Sequence, residues 1–96
     1  MRREDALRIL AEHRAEIDAF GVRSLAIFGS VARDEAGPDS DVDILVEFAR
    51  PVGYFELFDL QQHLEQILGC KVDLFTVNSL REEIRATALE EAVRAA

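Results

Sequence analysis

The sequence predicts an α/β (α+β) domain in which helices pack on a small mixed β-sheet of about three strands or more. Three observations carry this expectation. Short apolar runs bounded by glycine and turn residues alternate with longer stretches of helical periodicity. Their order is helix, strand, short helix, strand, helix, strand, helix, which suits helices layered on a sheet. A chain of 96 residues, 49% hydrophobic and 31% charged, has the size of a single domain, residues 1–96, that buries about 65% of its unfolded surface.

Each element has its own warrant. Residues 4–19 read as one helix, because Leu7, Leu10, Ile17 and Phe20 recur near helical spacing with charges between them and Gly21 follows as a stop. Residues 24–28 form an apolar run too short for a helix and closed by Gly29-Ser30, hence a buried strand. Residues 30–36 make about two helical turns, and Gly37-Pro38-Asp39-Ser40 has turn composition. Residues 41–48 give a second strand, alternating first and then continuously apolar. Pro51 and Gly53 break the chain. Leu57, Leu60, Leu64, Ile67 and Leu68 then mark one side of a helix over 54–68, ended by Gly69. Residues 71–77 are a third strand. Ser79, with Glu82 three positions on, has the spacing of a capping box and opens a last helix that runs to the C-terminus.

The charge balance narrows the function. Nineteen acids face eleven bases, for a formal net charge of -8. Duplex nucleic acid is held by basic side chains that displace counterions, so a protein wrapping DNA or RNA is not expected. A polybasic membrane anchor is not expected either. Cys70 is the single cysteine, which rules out an intramolecular disulfide and any Cys-cluster metal site. No run approaches the roughly 20 apolar residues that span a bilayer, and the N-terminus has no signal-type core. A cytoplasmic protein is the economical reading.

The chemistry concentrates between Gly29 and Asp43. Gly29-Ser30 lies where a strand gives way to a helix, a place where backbone N–H groups can face a phosphate and glycine permits close approach. Alone, the pair is ordinary turn chemistry. Asp41 and Asp43 sit at i and i+2 of a strand and project to one face. Alone, they also fit a solvated strand start. Asp73, flanked by Val72 and Leu74 in the next strand, can bring a third carboxylate to the same face. Three carboxylates beside a phosphate-binding turn describe a two-metal phosphoryl-transfer centre built from oxygen ligands. Competing motifs fail. A calcium loop starting at Asp39 would need Gly where Ile44 stands and Glu where Arg50 stands. No P-loop exists, since Lys71 is the only lysine. His13 and His63 each stand alone in a helix and read as structural, and Cys70 as a small apolar residue.

These residues resemble a known family. Ile27-Phe28-Gly29-Ser30-Val31-Ala32-Arg33, followed by Pro38-Asp39-Ser40-Asp41-Val42-Asp43-Ile44-Leu45 and later by Gly69-x-Lys71-Val72-Asp73-Leu74, is similar to the signature of minimal nucleotidyltransferases of the DNA-polymerase-beta-like superfamily. The likeness covers nearly the whole chain and implies the nucleotidyltransferase fold. It implies that Gly29, Ser30 and Arg33 bind the nucleotide. It also implies that Asp41, Asp43 and Asp73 are the catalytic and metal-binding residues, holding two Mg²⁺ (or Mn²⁺) ions. For Arg33, pairing with Asp34 or Glu35 is an equally good reading.

Stand-alone chains of this pattern resemble the antitoxin half of toxin–antitoxin pairs. The resemblance implies transfer of AMP from ATP to a tyrosine of a partner HEPN-domain ribonuclease, which neutralises it. Two alternatives stay open: neutralisation by stoichiometric binding, and nucleotidyl transfer to a small molecule such as an antibiotic. The latter lacks the acceptor domain it needs. Asp34 and Glu35 add acids beside the phosphate turn, where like charge would weaken nucleotide binding.

Overall fold

The computed structural model describes residues 1–35, 37, 41–76, 90 and 92–95. Its elements run α1 (Arg3–Glu12), α2 (Arg14–Ala19), β1 (Val22–Phe28), α3 (Gly29–Ala32), β2 (Val42–Phe48), α4 (Tyr54–Leu68), β3 (Val72–Thr76) and β4 (Val93–Arg94). The strands form one mixed sheet in the order β3-β2-β1-β4. The β1–β2 and β1–β4 pairs are antiparallel, and β2–β3 is parallel.

Four differences from the sequence-based expectation have physical causes. The first helix is two helices. His13 leaves helical geometry (φ -106°, ψ 19°), and its ring meets the Glu16 carboxylate at the start of α2. The apolar face nevertheless continues, with Ala6, Leu10 and Ile17 fully buried. Strand β1 begins at Val22, two residues early, because a bulge between Val22 and Ser24 lets Val22 and Leu25 both face the core despite their odd spacing. Helix α3 is a single turn. Asp34 adopts φ 57°, a left-handed conformation that no helix continues through. At the C-terminus, Val93 and Arg94 are strand, not helix: they pair with Ile27 and Ala26. The helix expected from Ser79 falls on residues outside those described.

Side-chain alternation divides the sheet. Leu25, Ile27, Val42, Ile44, Val46 and Val72 point to one face and join Leu10, Ile17, Leu60 and Leu64 in the main core. Helix α4 starts with the Glu56 carboxylate accepting the Gly53 N–H and ends in the left-handed Gly69 (φ 70°). It packs on α1 and β3 through Leu60, Leu64 and Leu68, while Tyr54, Phe55 and Phe58 stand exposed. The second face carries Phe28, Leu45 and Phe75, with the two phenylalanine rings edge-on at 5.5 Å. The acids of interest lie on this second face.

Candidate active site

Asp43 is the centre of the arrangement. Antiparallel pairing sets it against Phe28, the last residue of β1, and parallel pairing sets it against Asp73 on β3. Two neighbours on either side therefore come from backbone register alone. Asp41 precedes β2 by one residue and lies two positions from Asp43, on the same side of the chain.

Pairing with Phe28 brings Gly29 directly beside Asp43. Gly29 has φ 71°, and a β-carbon built there would overlap Asp43 Oδ2 and stand 3.3 Å from its Cγ. Glycine is thus required twice, once by the backbone and once by the carboxylate. The turn that begins at Gly29 carries Ser30 at the start of α3 and closes through Glu35 N–H donating to Ser30 O at 2.8 Å.

The electrostatics match a site of unbalanced acids. Burial raises the Asp43 pKa above its ordinary 3.8, and the charges of Asp73 and then Asp41 raise it further, while Arg33 acts weakly in the opposite sense. Arg33 also donates from Nε to Glu35 at 3.0 Å, so the local pairing foreseen as its alternative role is present. Asp34 turns away to Arg3, accepting the Arg3 backbone N–H at 2.8 Å. The Arg3 guanidinium in turn donates to Ala32 O at 3.1 Å. The two acids that threatened the phosphate turn are therefore each held by an arginine.

Carboxylates such as those of Asp41, Asp43 and Asp73 offer the oxygen ligands that hard divalent cations take. Among the described residues no three ligand-type side chains already stand in coordinating geometry. The backbone register sets Asp73 level with Asp43, and Asp41 lies two residues before Asp43.

Other residues fall into structural roles. His13 and His63, isolated in sequence, converge on Glu16, with His63 Nε2 3.5 Å from its carboxylate and the His63 ring 5.3 Å from Phe20. They join α2 to α4. Burial pushes the Cys70 thiol up, which disfavours its thiolate. Sequence reasoning missed one contact set close to the site. Gln61 and Glu65, one turn apart on α4, bond to the backbone of Val72. The only signal is the i, i+4 spacing of two polar residues beside the apolar side of the helix.

With this geometry established, likeness to known proteins becomes informative. A family model described as a nucleotidyltransferase domain matches residues 7–95. The chain belongs to this nucleotidyltransferase family. This nucleotidyltransferase is 43% identical over 91 residues to the protein adenylyltransferase MntA of Thermococcus cleftensis, spanning 94% of this chain and 92% of that one. A solved structure described as a minimal nucleotidyltransferase matches it with a TM-score of 0.81 at 35% identity, over 97% of this chain and 95% of the other. A more distant structure shares the fold: the tri-AMPylated HEPN toxin of Shewanella oneidensis in complex with an MNT antitoxin. It matches with a TM-score of 0.68 and 17% identity over 94% of this chain and 71% of that chain. Among the described residues no helix is long and apolar enough to cross a membrane.

Proposed function

We propose that this nucleotidyltransferase transfers AMP from ATP to a tyrosine hydroxyl of a partner HEPN ribonuclease and thereby neutralises it. The observation that carries the proposal is the pairing of Asp43 with Asp73 beside Gly29, in a chain 43% identical to a protein adenylyltransferase.

In this reading Gly29, whose missing β-carbon leaves room for the Asp43 carboxylate, and Ser30 at the start of α3 bind the triphosphate. Arg33 swings from Glu35 to the phosphates. Asp41 and Asp43 hold two divalent ions, Mg²⁺ or Mn²⁺, and Asp73 completes the set. Bound ions of this kind neutralise charge on the phosphates and on the leaving group. Asp73 also orients the attacking hydroxyl and takes up its proton. The tyrosine oxygen forms a bond to the α-phosphorus as the bond to the β-phosphate oxygen breaks, and pyrophosphate leaves. Most of the rate enhancement in such a transfer is positioning and charge stabilisation, which is what a register-fixed set of carboxylates supplies.

The test is co-expression with the product of the neighbouring gene, followed by intact-mass measurement of that product. One or more adenylyl increments are expected with the wild type and none with Asp41→Ala/Asp43→Ala. If the double variant protects cells as well as the wild type, neutralisation proceeds by binding alone and the proposal fails.

A further inference from the structure

We propose that Gln61 and Glu65 of α4 are positioning residues for Asp73. This rests on the reading of Asp73 given above and names the residues that hold it in register.

Strand β3 is at the edge of the described sheet and has one strand neighbour, β2. A strand residue directs its N–H and its C=O to the same side. At Val72 both are taken by α4. The Val72 N–H donates to Glu65 Oε2 at 3.0 Å, and the Val72 C=O accepts from Gln61 Nε2 at 2.8 Å. Both contacts are part-buried, and the first is to a carboxylate, the stronger class of acceptor. On the other side, Val42 N–H donates to Lys71 O at 3.0 Å. The beginning of β3 is thus gripped from the helix on one edge and from β2 on the other.

The next residue is Asp73. Because side chains alternate, fixing Val72 with its side chain in the core sends Asp73 to the opposite face, level with Asp43. A slip of one residue would bring Val72 or Leu74 opposite Asp43 and turn Asp73 toward the apolar core. Edge strands have only one ladder to resist such slippage. Two side chains from α4, spaced one turn apart, supply the second. Their reach ties the position of a site carboxylate to the packing of α4.

The experiment uses the full chain with its HEPN partner and the variants Gln61→Leu, Glu65→Leu, Glu65→Gln and Asp73→Asn. Amide exchange at Val72 and Asp73 reads the clamp directly. Turnover reads its consequence. Glu65→Leu is expected to speed exchange at Val72 roughly 10-fold and to lower kcat roughly 10- to 100-fold, as displaced catalytic groups do. The KM for ATP is expected to stay within about twofold. Gln61→Leu should act in the same direction. Glu65→Gln, which keeps an acceptor oxygen, should restore most of both quantities. Unchanged exchange at Val72 in both leucine variants overturns the clamp. Faster exchange with undiminished kcat, in a protein that Asp73→Asn inactivates, overturns its role in the reaction. An Asp73→Asn protein as active as wild type refutes the assignment of Asp73 itself, and no role in positioning it then survives.

Discussion

Replacing Gly29 by alanine separates two demands that the structure places on one residue. The backbone there has φ 71°, and a left-handed conformation costs an L-residue about 1–2 kcal/mol. In a domain of this size each kcal/mol lowers the melting temperature by ~4–8 °C, so a fall of about 4–16 °C is expected from backbone strain. The second demand is steric. The new β-carbon would overlap Asp43 Oδ2 and force the carboxylate aside. A misplaced catalytic group costs roughly 100-fold in rate. Gly69 is the matched control. It has nearly the same φ, 70°, but nothing lies within 4 Å of an added β-carbon. Gly69→Ala should therefore lose comparable stability and keep its transfer rate. The assay is thermal melting by circular dichroism together with adenylyl incorporation into the partner at saturating ATP, at a temperature where all three proteins are folded. A Gly29→Ala protein within about threefold of the wild-type rate, or a Gly69→Ala protein as slow as Gly29→Ala, would refute the steric reasoning.

Asp43→Asn should abolish transfer yet raise the melting temperature of the metal-free protein at neutral pH. The folded state holds the Asp43 proton more tightly than the unfolded chain, so stability declines as pH rises from 3.8 through the raised value, and the full cost is present above it. Melts across that range should show the gap between variant and wild type closing as pH falls, and Mg²⁺ should stabilise the wild type more than the variant. Leu64→Ala removes a side chain with 0% exposure and should cost about 2–5 kcal/mol in urea denaturation. A loss below about 1 kcal/mol would contradict its place in the core. Arg3→Ala should cost about 0.5–1.5 kcal/mol, from the part-buried bond to Ala32 O, since the ion pair with Asp34 is exposed on both sides and adds little. It removes the cation beside the Asp34 carboxylate near the phosphate turn, although the backbone N–H of residue 3 still donates to that carboxylate. The KM for ATP should rise about two- to fivefold, the equivalent of ~0.5–1 kcal/mol, with kcat unchanged, as steady-state kinetics would show.

What the sequence made legible was local, and what it hid was pairing. The apolar runs that end at Phe28 and Phe48 announce strands because their composition has no other economical use. Nothing in the composition around His13 announces a break. The break coincides with a ring–carboxylate contact between His13 and Glu16 that helical periodicity cannot register. Val93-Arg94 is too short for any period and becomes strand only because β1 offers an unpaired edge. The same limit applies at the site. Alternation places Asp41 and Asp43 on one face, but only the parallel register of β2 with β3 sets Asp73 level with Asp43. That Gly29 should be small was readable from its strand–helix position. That it leaves room for Asp43 Oδ2 was not, since the two residues are fourteen apart in sequence and meet through antiparallel pairing.

The acidity of the chain has the same division. Six acids lie between Asp34 and Glu47 with no lysine or arginine among them. The fold hands three of them to arginines outside that stretch or just before it: Asp34 to Arg3, Glu35 to Arg33 and Glu47 to Arg23. Among the described residues, the repulsion that remains acts on Asp43 from Asp73 and Asp41. Like charges opposite each other on adjacent strands cost on the order of 0.2–1 kcal/mol. The flanking pairs on the same two strands are Val42 with Val72, Ile44 with Leu74 and Leu45 with Phe75. Of these, Val42, Ile44 and Val72 are fully buried, and each such side chain contributes about 1.5–3 kcal/mol. The apolar ladder outweighs the like-charge pair several times over. This is why the packing of β2 on β3 can hold two carboxylates in register, and why the charge of the site can be set by its chemistry and not by the stability of the sheet.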